Sequence, residues 1–157
     1  MSIYAKGTSV SVEKSRGEIE TILARYGASA FAYATNMGKA MIQFQANNRR
    51  IMFVLQLPDR AAKIYTHGYA GRGQKLPDSE AYDKWEQACR QKWRCLALAI
   101  KAKLEAVESG IADFEDEFMA HILMPDGKTI SHHMRPKIES AYQTGKMPPM
   151  LGWDGRG

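Results

Sequence analysis

Residues 79–108 read SEAYDKWEQACRQKWRCLALAIKAKLEAVE, and this stretch has the clearest periodicity in the chain. Its large apolar side chains recur at steps of three and four residues, close to the period of an α-helix. They are Tyr82, Trp85, Cys89, Trp93, Leu96, Ile100, Leu104 and Val107. The spacing predicts one long helix from about residue 79 to residue 108, which Ser109-Gly110 would end.

Three apolar runs that are rich in aromatic residues precede this helix, at residues 30–34, 40–45 and 50–57. Asn36-Met37-Gly38 separates the first two runs, and Asn47-Asn48 separates the second from the third. Asn and Gly adopt the left-handed backbone that tight hairpins require. The pattern therefore predicts a three-stranded antiparallel meander.

A short amphipathic helix is predicted before the meander. Ser15 followed by Glu18 resembles a capping box, and Ile19, Ile22, Leu23 and Tyr26 then recur at helical spacing until Gly27. Residues 8–12 alternate in polarity and predict a strand.

The C-terminal third is predicted to hold smaller elements. A short helix is expected at 112–120 and a small hairpin around the turn Pro125-Asp126-Gly127. A last helix is expected at 132–144, with Pro136 as the alternative start. The fold class is therefore α+β. The prediction is a single domain over residues 1–146, with the first helix on the meander and the long helix packed against both, and an extended tail at 147–157.

Composition excludes several classes of protein. The 157 residues carry 22 Lys and Arg against 17 Asp and Glu, a net charge of +5, which favours an anionic partner. No apolar run has the length of a signal peptide or a membrane span, so a soluble cytoplasmic protein is expected. Cys89 and Cys95 diverge on a helix and match neither a redox motif nor a zinc pair. No cofactor motif is present, and none is predicted.

The stretch at 60–75 is the strongest functional signal. It contains no acidic residue, and its cations alternate with aromatic residues and glycines, a composition that suits single-stranded nucleic acid. The candidate binding residues here are Arg60, Lys63, Tyr65, Tyr69, Arg72 and Lys75. The alternative is a solvated loop whose aromatic residues anchor it to the core.

The long helix adds a basic edge, because Arg90, Arg94 and Lys101 fall within a narrow arc beside the apolar stripe. This edge and the stretch at 60–75 are predicted to form one surface for nucleic acid, with function by binding and not by catalysis. The alternative is the solvated border of a core helix, on which long side chains cover apolar surface.

Two other functions stay open. Residues 105–126 carry seven acidic residues and no Lys or Arg, and this asymmetry favours self-association into a homo-oligomer or docking on a protein such as a host enzyme. Met150, Leu151 and Trp153 of the tail are candidate partner-binding residues. Asp126-Gly127-Lys128 has the spacing of one class of Mg²⁺-dependent nuclease, although Pro-Asp-Gly is first of all a turn sequence.

Two stretches together resemble a known family. SRGEIE at 15–20 continues to RYGA at 25–28, and WEQACRQKW at 85–93 continues to KAKLEAVE at 101–108. They resemble a family of small, largely uncharacterised proteins of tailed bacteriophages and prophages, over residues 10–151. The resemblance implies the host cytoplasm as the setting. It also implies a role in replication or recombination, in transcription regulation, or in inhibition of a host defence.

Overall fold

The computed structural model describes residues 5–150 and confirms the α+β fold class. A helix, a three-stranded sheet, a long helix and a helical C-terminal region follow one another along the chain. The elements are α1 (Val12–Arg25), β1 (Ala30–Asn36), β2 (Lys39–Ala46), β3 (Arg49–Gln56), α2 (Lys63–Thr66), α3 (Gly68–Gly71), α4 (Asp78–Glu108), α5 (Phe114–Phe118), a 3₁₀ turn (Met119–His121) and α6 (Ile130–Thr144).

Helix α1 begins one turn before the predicted capping box. Its N-cap is Ser11, whose side chain accepts a hydrogen bond of 3.1 Å from the Lys14 amide. The predicted strand at 8–12 is therefore wrong, because Val12 already belongs to the helix. Ser15 lies inside α1, fully buried, and its hydroxyl has no hydrogen-bond partner among residues 5–150. Local sequence could not distinguish the two serines, because each stands at the start of a polar, helix-forming stretch.

The sheet is an antiparallel meander in the order β1-β2-β3, as the sequence predicts. Both hairpins have two-residue turns, Met37-Gly38 and Asn47-Asn48, and all four turn residues have positive φ. Such turns match the twist of the flanking strands. They also fix the register, in which Ile42 lies opposite Tyr33 on one side and Phe53 on the other.

One face of the sheet forms the core. Ala40, Ile42, Phe44 and Ala46 alternate along β2 and are all buried, and Ile51 and Phe53 of β3 share their face. Helices α1, α4 and α5 contribute the other core residues, including Ile19, Leu23, Trp93, Ile100 and Phe118. The three helices therefore cover the same face of the sheet, and residues such as Val54 on the opposite face stay exposed.

Helix α4 is the longest element and agrees with the prediction within one residue. Its 31 residues bury Cys89, Trp93, Leu96, Ala97, Ile100 and Leu104. The ring centres of Trp93 and Tyr33 are 5.5 Å apart, and the Arg16 guanidinium lies 3.6 Å from the centre of the Tyr33 ring. One cluster therefore joins α4, β1 and α1. Among residues 5–150, no helix has both the length and the apolar character that crossing a bilayer requires.

The C-terminal region closes the free side of β3. Ile122 bridges to Ile51, and Leu123 bridges to Thr129 across the Pro125-Asp126-Gly127 turn, which confirms the predicted hairpin. Helix α6 begins at Ile130 with Thr129 as its N-cap, two residues before the predicted start. Pro136 lies inside α6 and does not start it, because the Thr129 cap sets the beginning of the helix one and a half turns earlier.

The two serines of α1 give opposite predictions. Ser11→Ala removes the N-cap and should lower the free energy of unfolding by about 0.5–2 kcal/mol. Ser15→Ala removes a buried hydroxyl without a partner and favours the helix, so it should raise that free energy by about 0.5–1 kcal/mol. Urea denaturation of both variants measures the pair, and a loss of stability only in the Ser15 variant would contradict this helix start.

Candidate functional site

The chain between β3 and α4 is a compact unit. Helices α2 and α3 follow each other, and a bridge between His67 and Lys75 closes the segment. The Leu76 amide donates to the Thr66 carbonyl at 2.8 Å, and the Gly68 amide donates to the Gln74 carbonyl at 3.0 Å. These bonds satisfy the backbone that a long irregular loop would otherwise leave to water. We call residues 60–75 the basic segment.

Two glycines allow the basic segment to fold so closely. Gly71 has φ +89°, and a Cβ atom there would lie 3.0 Å from the Lys63 carbonyl carbon. A Cβ atom on Gly73 would lie 2.9 Å from a ring carbon of Tyr69 and 3.0 Å from the Gly68 carbonyl carbon. Any larger side chain would therefore push the two turns apart. The composition of the sequence showed the glycines, but only the fold shows this close packing.

Tyr69 is displayed at the tip of the basic segment. It is 90% exposed, and its backbone is left-handed at φ 46° and ψ 49°, followed by Ala70 at φ 54°. A non-glycine residue in this region costs about 1–2 kcal/mol. The closed turns around Gly71 and Gly73 hold this costly conformation, so the phenol ring stays outside the core.

Arg60 and Tyr65 of the basic segment face α4. The Arg60 guanidinium lies 5.0 Å from the centre of the Tyr82 ring and 5.6 Å from that of Trp85, whose indole N–H donates to the Pro58 carbonyl at 2.9 Å. Tyr65 is half-buried, and burial is the main cause that raises the pKa of its phenol, with a smaller effect of Cys89. Both residues anchor the segment, and Tyr65 does so as in the alternative of a loop that its aromatic residues attach to the core.

The three other cations of the segment point to solvent. Lys63, Arg72 and Lys75 are exposed, and none of them forms a salt bridge within residues 5–150. Together with Tyr69 they give the basic segment three exposed charges and one exposed ring. This is the part of the predicted surface that the structure leaves available for a ligand.

The basic edge of α4 has a different environment. Arg90 pairs with Glu86 at 3.1 Å and also bonds Gln87, while Arg94 pairs with Glu18 of α1. Both arginines are therefore neutralised by neighbouring side chains. Arg94 and Glu18 are 76 residues apart, and no sequence pattern indicated that they meet.

Lys101 lies with α1 and not with the basic segment. It lines a groove of about 570 Å³ together with Lys14 and Arg25, whereas α2 contacts the flank of α4 that carries Trp85 and Cys89. The residues predicted to form one continuous basic surface therefore lie in two regions, on different flanks of α4. Lys14 and Arg25 were missed from the sequence, although they share one face of α1.

Part of the acidic stretch at 105–126 is paired. Glu115 bonds Arg49 at 2.6 Å, and Glu117 bonds Lys103 at 3.1 Å. Asp126 accepts from the Lys128 amide at 3.0 Å and pairs with His133 at 2.8 Å, so it is part of a turn. Within residues 5–150, no group of three His, Cys, Asp or Glu side chains could hold a metal ion. Neither observation adds support to the nuclease hypothesis.

Of the three candidate partner-binding residues in the tail, only Met150 lies within the described residues. The Met150 carbonyl accepts a hydrogen bond of 2.6 Å from the Lys137 ammonium of α6. Leu151 and Trp153 lie outside the described residues. Their assignment to a partner stays a prediction.

His121 stacks on Phe53, with ring centres 4.1 Å apart. Burial lowers the pKa of His121 below its ordinary 6.5, Lys103 lowers it further, and a hydrogen bond with the Met52 backbone opposes them. The unfolded chain therefore binds the proton more readily than the native protein, and stability is lost as the pH falls below about 6.5.

This linkage predicts the behaviour of His121→Phe. Phenylalanine keeps the stacking but cannot be protonated, so the free energy of unfolding should fall less steeply between about pH 7 and pH 5 than in the wild type. Denaturant titrations at a series of pH values measure the two slopes. Equal slopes would show that His121 is not held neutral by its surroundings.

Comparison with known proteins gives no match. No family model matches the sequence, and neither a curated protein nor a solved structure is significantly similar to it. The resemblance to phage and prophage proteins therefore stays a prediction.

Proposed function

We propose that this protein binds single-stranded nucleic acid without catalysing a reaction, and that the tip of the basic segment is the contact. The observation that carries the proposal is Tyr69, 90% exposed on a left-handed backbone beside exposed cations. A strained conformation that displays an aromatic ring to water has no benefit for the core, and such conformations cluster at binding sites. The role is that of an accessory protein, which functions by binding and not by catalysis.

Each part of the tip has a task in this binding. The Tyr69 ring offers a face on which an unpaired base stacks, a contact that tolerates any base. Lys63, Arg72 and Lys75 neutralise phosphates and release counterions, which makes binding dependent on salt. Arg60 and Tyr65 hold the segment on α4 and so fix the ring in place.

The alternatives receive less support. A protein-docking role was predicted from the charge asymmetry of the chain, but Arg49 and Lys103 neutralise part of the acidic stretch. The resemblance to phage proteins suggests replication, recombination or transcription regulation as the process that such binding serves. Those assignments rest on the resemblance and on no contact in the structure.

The test is fluorescence anisotropy of a labelled single-stranded oligonucleotide at several salt concentrations. Tyr69→Ala should weaken binding by about 1–3 kcal/mol because a stacking face is lost, while Tyr69→Phe should retain it. Arg72→Ala with Lys75→Ala should weaken binding and reduce the slope of log affinity against log salt by about 1.4, or about 0.7 for each lost phosphate contact.

The matched control is Lys14→Ala with Lys101→Ala. It removes the same two charges from the groove between α1 and α4, on the other flank of α4. This control should leave affinity nearly unchanged. An equal loss in both double variants would mean that only the net charge attracts the strand, and no binding by the wild type at low salt would reject the proposal and leave protein docking as the better hypothesis.

A further inference from the structure

A second region with unpaired cations lies at the start of α6. Here a cavity of about 410 Å³ is bounded by the outer face of the sheet, the 3₁₀ turn and the first turns of α6. Cavities of about 300–1,000 Å³ hold small organic molecules. The cavity is formed from segments that are far apart in sequence, and no motif indicated it.

The cavity is lined by basic residues and by no acidic residue. They are Lys39 of β2 and His132 and Arg135 of α6. Among residues 5–150, none of these three side chains forms a salt bridge. Lys39 and Arg135 therefore bring two positive charges from two elements to one cavity with no carboxylate in its lining, which favours a bound anion.

Two hydroxyl groups also line the cavity, those of Thr129 and Ser131. The Thr129 hydroxyl oxygen accepts from the His132 amide at 3.2 Å, and the Ser131 oxygen accepts from Arg135 Nε at 3.2 Å. Each hydroxyl keeps its own proton to donate, and the two terminal nitrogens of Arg135 keep theirs. The amides of Ile130, His132 and His133 already donate within the chain.

The sheet also contributes apolar surface to the cavity, on the same face as Lys39. Met52 and Val54 project from the outer face of β3, and Ala120 precedes the His121 ring, which is stacked on Phe53. Val54 is 53% exposed, a large apolar side chain that no element of the described chain covers. A ligand that filled the cavity would therefore carry a negative group for Lys39 and Arg135 and an apolar or aromatic part for Met52 and Val54.

We propose that this cavity binds a phosphate monoester, with the phosphate against Lys39 and Arg135 and the organic part against Met52 and Val54. A phosphate monoester carries a charge of about −1.5 to −2 at neutral pH, which two cations balance. Its oxygens also suit the paired terminal nitrogens of arginine. The same chemistry occurs in a free nucleoside monophosphate and at the 5′ end of a nucleic-acid strand.

Isothermal titration calorimetry of the full chain with five probes tests the site: AMP, adenosine, inorganic phosphate, and a short oligonucleotide with and without a 5′-phosphate. AMP or the 5′-phosphorylated oligonucleotide should bind about tenfold or more tightly than its counterpart without phosphate. AMP binding identifies a free nucleotide as the source, and binding of the phosphorylated oligonucleotide alone identifies a strand end. Inorganic phosphate should bind more weakly than either, because it leaves the apolar surface uncovered.

Variants locate the binding. Lys39→Gln with Arg135→Gln should weaken it about tenfold or more, whereas Lys128→Gln with Lys146→Gln, an equal charge loss outside the cavity lining, should not. Val54→Asp, at an exposed position, should also weaken it by repulsion. Thermal melts confirm that each variant is folded. Equal loss in the control pair, or no preference for phosphorylated probes, would overturn the proposal.

The site is separate from the basic segment, and the two proposals can fail separately. Tyr69→Ala should leave binding of AMP unchanged. Lys39→Gln with Arg135→Gln should leave binding of an oligonucleotide without a 5′-phosphate unchanged.

Discussion

The burial of a single face of the sheet is the constraint on which the rest of this structure depends. Alternation along β2 and β3 places Ile42, Phe44, Ile51 and Phe53 on one side, so every helix with a wide apolar stripe must pack there. Phe118 of α5 completes that layer with its ring edge-on to Phe44 and Phe53. Within residues 5–150 the opposite face receives only the margin of the C-terminal region, and the cavity beside β3 forms where that cover is incomplete.

The elements that the sequence predicted well are those with a long repeated pattern. Helix α4 repeats its apolar spacing over about seven turns, and the meander repeats an alternation between turns that only a few residue types can form. The N-terminal ends of α1 and α6 were misplaced because several residues near each of them could act as a cap. Tertiary burial of Ser15 decided one case, and the Thr129 cap decided the other.

The candidate site was predictable in composition but not in geometry. The stretch at 60–75 has no acidic residue, and within residues 5–150 Lys63, Arg72 and Lys75 form no salt bridge, whereas Arg60 lies against Tyr82 and Trp85. The arginines of α4 looked equivalent along the sequence, yet Glu18 of α1 is brought to Arg94 only by helix packing. Pairing between distant elements has no signature in one sequence, and the same reason hid the convergence of Lys39 and Arg135.

Helix α4 also acts as a spacer. The basic segment contacts it near Trp85, and α5 is tied to it at Lys103 through Glu117. The 18 residues between these two points span about 27 Å at the rise of an α-helix. The helix therefore keeps the basic segment and α5 about five turns apart, and neither can approach the other while α4 stays folded.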